Sequence, residues 1–297
     1  CYLKPIEKRK NLRIETGAHT QRVVIEGSKC TGIEYKNNGK LVRAKASKEV
    51  IICTGGVASP QLMELSGIGQ PDLLKSHGIE VKHELTGVGE HLRDHINAPI
   101  KFHMKRGDLS YNKRMQGLGP AWQVLRYVFQ KRGFMSLPSA PMLAFLRTRD
   151  DMETPDVQMH IVPYAVKNYK KRLLHDFPGI TMAVYQLRPE SLGSIHIQSP
   201  LPSEQPAINF NFLSDQIDRD AMLGGVKKIR QIMDTEAMKK VRGDEFLPGR
   251  EIESDDEILN YIRNTAETAY HPIGTCRMGQ GPGAVVDDRL RVHGISG

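Results

Sequence analysis

At 297 residues, 39% of them hydrophobic, the chain has room for one large domain or two smaller ones and enough apolar material for a core. It has no apolar run near the roughly 20 residues of a bilayer-spanning helix, and its four cysteines, Cys1, Cys30, Cys53 and Cys276, lack the paired spacing of a disulfide scaffold and fit a reducing compartment. The excess of 42 Lys and Arg over 34 Asp and Glu leaves a net charge of +8, but the basic clusters Lys8-Arg9-Lys10 and Lys170-Lys171-Arg172 are short and sit in no nucleic-acid-binding motif, so they read as solvated faces.

In chain order, residues 12–15, 22–26, 31–36, 41–46 and 49–53 read as short strands, with Asn37-Asn38-Gly39 as a hairpin turn. A helix is expected over 59–65, with Ser59 as N-cap, Pro60 as first helical residue, and Gly67 and Gly69 as stops; another over 71–77 ends at Gly78. From residue 98 the pattern changes. A helix over 121–130 precedes strands at 142–147, 157–162, 180–187, 194–198 and 208–212, which read as an antiparallel sheet. Helices over 217–234 and 255–265 follow, the last with Ser254 and Glu257 as a capping box. There is no internal repeat and no low-complexity linker.

Two stretches carry chemistry. Val50-Ile51-Ile52-Cys53 is a β-branched run that reads as a buried strand; with Thr54-Gly55-Gly56 and the helix behind it, it makes a turn where backbone can approach a phosphate or ribose closely. Many α/β proteins have such turns without a ligand. The second is Tyr270-His271-Pro272-Ile273-Gly274-Thr275-Cys276-Arg277-Met278-Gly279. Proline keeps the preceding residue out of the α region, so His271 is expected in extended geometry, and an imidazole so held suits proton transfer. A core histidine beside a turn is the plainer reading of that pair alone. No Cys-x-x-Cys pair suggests a metal and no Gly-x-Ser-x-Gly elbow suggests a serine hydrolase.

Together these blocks resemble a family. Residues 56–69, with Ser59-Pro60 and Ser66-Gly67-Ile68-Gly69, are similar to the second signature of the glucose-methanol-choline flavin oxidoreductases. Gly87-Val88-Gly89-Glu90-His91-Leu92-Arg93-Asp94-His95, the Tyr270 to Gly279 block, and Val285-Val286-Asp287 with Leu290-Arg291-Val292-His293-Gly294 match in order and spacing. The resemblance covers essentially the whole chain. Departures are His91 for the usual asparagine, Arg93 for the commoner glutamine, and Leu192 for arginine in the Arg188 to Ser194 turn. The family's opening Gly-x-Gly-x-x-Gly is absent, and Gly279-Gln280-Gly281-Pro282-Gly283 has the wrong spacing.

The resemblance implies an internal fragment of a longer enzyme, of α/β plus α+β class. A partial FAD-binding Rossmann-like domain, residues 1–95 with a return segment 266–297, would be interleaved with a substrate domain, 96–265, of mostly antiparallel sheet backed by helices. It implies FAD as cofactor and oxidation of an alcohol by hydride transfer to the flavin, assisted by His271 and by a second catalytic residue outside this chain. By position, Thr20, Thr54 and Gly55 would line the nucleotide, while His19, His95 and His293 carry no assigned chemistry. Hydroxynitrile lyases on the same scaffold and a silent binding descendant remain alternatives. The partners implied are a small alcohol and an electron acceptor, whether quinone, carrier or oxygen. Peripheral membrane contact and a place in the cytoplasm or at the inner membrane are further expectations. Residues 1–297 alone are expected to purify colourless, because the pyrophosphate would lose its helix N-terminus.

Overall fold

The computed structural model describes residues 2–138, 140–168, 171 and 173–297, so Cys1 and most of the Lys170-Lys171-Arg172 cluster lie outside it. Its contacts divide into two units. The first holds the residues up to Arg93, then Leu192–Asn211 and Pro272–Gly297; the second holds Asp94–Ser191 and Phe212–His271.

In the first unit β1 (Ala18–Glu26), β2 (Lys29–Asn37) and β3 (Lys40–Lys45) form an antiparallel meander. Asn38 and Gly39 adopt φ of 49° and 78°, the left-handed pair that a two-residue hairpin needs, and Asn37 faces Lys40 across it. Beyond the sheet, α1 (Gly55–Leu65) and α2 (Pro71–Ser76) follow. A small core of Val23, Leu62, Met63, Ile68, Val88 and Val285 holds the sheet, α1 and the C-terminal segment together.

Four expectations fail here. The strands expected at 194–198 and 208–212 are shorter, Ser194–His196 and Ala207–Asn209, and pair with each other in this unit in place of joining the larger sheet. Residues 12–15 form no strand. Residues 49–53 form none either, and Ile51 is 73% exposed rather than buried; no strand pairs with them among the described residues, and Val50 is tied instead by its amide to the Gly297 carbonyl at 2.8 Å. Finally, α1 begins at Gly55, with Thr54 in the N-cap position in place of Ser59 and with Pro60 inside the helix. Proline brings no N–H for the carbonyl four residues back. That carbonyl, on Gly56, accepts instead from the Thr275 hydroxyl at 2.6 Å, so the break in the helix ladder becomes a tie to the C-terminal segment.

The second unit is a six-stranded antiparallel sheet backed by helices. Its elements are β4 (Ile96–Met104), α3 (Gly119–Gln130), β5 (Met142–Leu146), β6 (Val157–Val162), β7 (Gly179–Gln186), α4 (Gln216–Met233), β8 (Arg242–Leu247), α5 (Asp255–Thr265) and β9 (Glu267–Thr268). The strand order is β8-β4-β7-β6-β5, and β9 also pairs with β4. The strand β4 is absent from the sequence expectations, and it carries Pro99, a residue unusual in a central strand. The structure accommodates it: β9 pairs with residues 96 and 97 and β8 with 101, 102 and 104, leaving Pro99 in the gap between them, while its other flank faces Ala183 of β7.

The helices are started by the expected chemistry. Asp215 caps α4 through Ile217 N at 2.8 Å, and Ser254 and Glu257 form the capping box of α5. Phe102, Met159, Met182, Ile229, Met233 and Ile262 fill the space between these helices and the sheet; burial of each is worth about 1.5–3 kcal/mol. Asp218, buried on α4, accepts from the amides of Glu190 and Ser191 at 2.9 and 2.8 Å, which fixes the Arg188 to Ser194 turn as structure.

Candidate functional site

Strand alternation makes the site. On β4, β7 and β6 the side chains of Ala98, Ile100, Phe102, Ile180, Met182, Val184, Val157 and Met159 go to the helix core. The intervening residues then face the other side of the sheet. Asn97, Thr181, Ala183 and His160 are among them, and all four line a cavity of about 830 Å³ in the second unit. Met115, Phe134, Leu137 and Leu174 give it apolar lining, and His271 lines it as well. A volume of this size suits a small organic molecule.

His271 is held from two directions. The buried Asp94 carboxylate accepts the His271 amide at 2.9 Å and the His95 amide at 2.8 Å through one oxygen, and the Thr268 hydroxyl through the other. Thr268 in turn accepts from the amide of Tyr270, which sits at φ 62°, and the amide of Ala269 donates to the His95 carbonyl at 2.8 Å. The His271 ring meets the His95 ring edge-on, Nδ1 to Nδ1 at 3.2 Å, and His95 Nε2 lies 3.2 Å from the Leu187 carbonyl.

These partners assign the protons. A carbonyl only accepts, so His95 carries its proton on Nε2 and, when neutral, offers a lone pair on Nδ1. His271 must then donate through its own Nδ1, which leaves Nε2 unprotonated. Tyr185 stacks on His95 at 4.7 Å, and its hydroxyl lies 3.2 Å from His160 Nε2. Burial lowers the pKa of His160 and favours its neutral ring. Asn97 Oδ1 is buried with no hydrogen-bond partner.

In the first unit a smaller pocket of about 350 Å³ is lined by Thr20, Ile33, Ile51, Thr54 and Leu62 among others. Thus the structure brings two of the three sequence-named cofactor residues, Thr20 and Thr54, to one pocket. Gly55 follows as the first residue of α1 at φ 81°, where an added Cβ would meet nothing within 4 Å, and no side chain caps that helix. Apolar walls with hydroxyl tips beside free backbone amides fit a flat heteroaromatic ring with its attached ribose.

Sequence reasoning found His271 but passed over its supports. Asp94 and His95 sat in a matched motif with no role assigned; only the fold sets them against a residue 176 positions away. It also passed over a second histidine network, in the first unit. There His196 Nδ1 lies 2.7 Å from the fully buried Glu64, whose other oxygen accepts from the Ile197 amide, and His196 Nε2 lies 3.1 Å from Glu90. The hydrogen bond to Glu64 leads the causes that raise the pKa of His196. Among the described residues no cluster of His, Cys, Asp or Glu is arranged to hold a metal.

Two models of the GMC oxidoreductase family match the chain, one over residues 1–97 and one over 189–297. An oxygen-dependent choline dehydrogenase of Chromohalobacter salexigens is 37% identical over 300 residues, spanning 100% of this chain and 53% of that protein. An alcohol dehydrogenase [acceptor] of Pseudomonas putida is 36% identical, spanning 99% and 54%. Among solved structures, a formate oxidase variant of Aspergillus oryzae RIB40 aligns with a TM-score of 0.86 at 25% identity, over 98% of this chain and 56% of that one. A pyridoxine 4-oxidase of Mesorbium loti aligns with a TM-score of 0.80 at 23% identity, over 99% and 53%. The chain therefore spans about half the length of the curated relatives it matches.

Proposed function

The chain belongs to the GMC oxidoreductase family, and from that premise we propose that the whole enzyme oxidises an alcohol to an aldehyde or ketone with FAD. The observation that carries the reading is the hydrogen-bonded pair His95–His271 beside an apolar-lined cavity. When bound, FAD supplies a hydride acceptor. Thr20, Thr54 and the start of α1 hold the adenine end of that cofactor.

This chain's own residues manage the proton. The alcohol binds with its carbon body against the apolar walls, and its hydroxyl proton passes to His271 Nε2 as the hydride leaves the same carbon, so that a carbonyl forms and the charge balances. General-base assistance of this kind is worth about a hundred- to ten-thousand-fold. His95 keeps the receiving nitrogen free, and Asp94 holds the backbone that aims the ring. The electron acceptor that reoxidises the flavin is a quinone, a carrier or oxygen, and a quinone would bring the enzyme to a membrane surface. No helix among the described residues is long and apolar enough to cross a membrane.

Alcohol added to the complete enzyme without oxygen should bleach the flavin absorbance and release the matching carbonyl compound. A flavin that stays oxidised while a cyanohydrin is cleaved would identify a lyase and overturn the redox reading.

A further inference from the structure

On β6 the side chains of Gln158 and His160 stand two residues apart and so share one face of the sheet, and His160 lines the cavity there. Across the ladder on β7, Tyr185 faces Gln158 and Ala183 faces His160, so the His160 ring has only a methyl group beside it on that strand. Gln158 and Tyr185 both reach the same atom of the ring. Gln158 Nε2 lies 3.0 Å and the Tyr185 hydroxyl 3.2 Å from His160 Nε2.

These contacts fix the proton. An amide nitrogen only donates, so His160 Nε2 accepts, the Tyr185 hydroxyl donates to it as well, and in the neutral ring the proton sits on Nδ1. Burial lowers the pKa of His160 and so supports the neutral ring. The result is one N–H donor on a cavity-lining side chain, with no protein acceptor for it among the described residues. The two nitrogens of an imidazole point away from each other. Nε2 is turned to Tyr185, whose ring stacks on His95, and His95 in turn meets His271. The Nδ1–H bond therefore points away from the side of the ring that leads to the base.

We propose that His160 determines specificity by donating from Nδ1 to a second oxygen of the substrate, an ether, carbonyl or further hydroxyl oxygen set along the carbon body away from the carbon that is oxidised. For the reacting end of the substrate this rests on the alcohol-oxidising reading above, but the contact itself is one of binding. Met115, Phe134, Leu137 and Leu174 offer apolar surface to the carbon body. A plain alkanol leaves the histidine donor without an acceptor, whereas an oxygen-substituted alcohol supplies one.

Isosteric ligands test it. In 2-butoxyethanol, 3-propoxypropan-1-ol and 4-ethoxybutan-1-ol an ether oxygen replaces one methylene of 1-heptanol at successive positions. Calorimetric titration of the complete enzyme, its flavin reduced by dithionite, measures binding without turnover and so reads the contact whether or not the flavin accepts a hydride. An ether oxygen also forfeits apolar burial, so the quantity compared is the ether-to-heptanol affinity ratio in wild type and variant. His160→Phe, which keeps a ring, should lower that ratio about tenfold for at least one ether, the worth of one hydrogen bond. His160→Asn, whose amide nitrogen takes the place of Nδ1, should lower it no more than about threefold. Retained flavin absorbance establishes that the variants fold, and long-range ¹⁵N correlation spectra of the wild type should show His160 in the Nδ1–H form. A ratio in the His160→Phe enzyme within about twofold of wild type for all three ethers, or a spectrum with the proton on His160 Nε2, overturns the proposal. Flavin reduction by the same alcohols is read separately: its failure with the ratio still changed sinks the redox reading and leaves the His160 contact standing.

Discussion

His196 and His271 are the same side chain put to opposite uses by their neighbours. In the first unit His196 stands between two carboxylates, Glu64 and Glu90, and the hydrogen bond to Glu64 leads the causes that raise its pKa and favour the cation. In the second unit His271 faces another imidazole whose far nitrogen is spent on a carbonyl, which engages its Nδ1 and leaves Nε2 open. Carboxylate partners make a histidine a structural ion; a carbonyl–imidazole chain makes it a base. Exposure follows the same division, with the His196 side chain 20% exposed and His271 open to the cavity.

The sharpest way to break this comparison is to remove each ring and ask which property is lost. His271→Ala in the complete enzyme should retain the flavin but slow its reduction by alcohol at least about a hundredfold, with unfolding free energy within about 0.5 kcal/mol of wild type because the ring is exposed. Rapid-mixing absorbance and urea titration measure the two; a rate within threefold of wild type removes His271 from the chemistry.

His196→Ala should do the converse. It leaves the buried Glu64 carboxylate without its cationic partner, a change that costs about 3–5 kcal/mol in comparable buried pairs, with cavity-side chemistry unaffected apart from the loss of folded protein. The pH dependence has a definite sign. His196 has a raised pKa in the folded chain, so its stabilisation is complete below its unfolded value of about 6.5 and is lost as pH rises through the folded value. Wild-type stability measured by urea titration across that range should fall with rising pH, and the fall should be smaller in His196→Ala. Equal slopes in the two proteins would remove the ion pair from the account.

The smallest effect belongs to the support of the base. His95→Phe keeps a ring beside Tyr185 but removes the acceptor for His271 Nδ1–H, and should slow flavin reduction about tenfold, the worth of one hydrogen bond, with KM little changed. Long-range ¹⁵N correlation spectra should show His271 in the Nδ1–H form in the wild type and a mixture of tautomers in the variant. A His271 spectrum that does not change would leave His95 as packing only.

Local chemistry was legible where the signal is local. The Asn38-Gly39 turn, the Ser254–Glu257 capping box and the strands at 157–162 and around 180–187 follow from residues within a few positions of one another. The early start of α1 was hidden because Pro60 looked like a first residue, and only the Thr275 hydroxyl from the far end of the chain explains how it can lie within. The strand β4 went unread, and the place of Pro99 within it depends on a gap between two strands that arrive about 140 to 170 residues later.

By itself the sequence determined the element types of most of the second unit and the motif order that marks the family. Only the tertiary structure decided which nitrogen of His271 is free, that Asp94 fastens it, that Asn97 lines the cavity, and that two carboxylates raise the pKa of His196. Propensity, capping and periodicity act over one or two turns of chain. A tautomer or a charge state is set by whichever donor and acceptor the fold brings within about 3 Å, and those partners lie anywhere in the sequence.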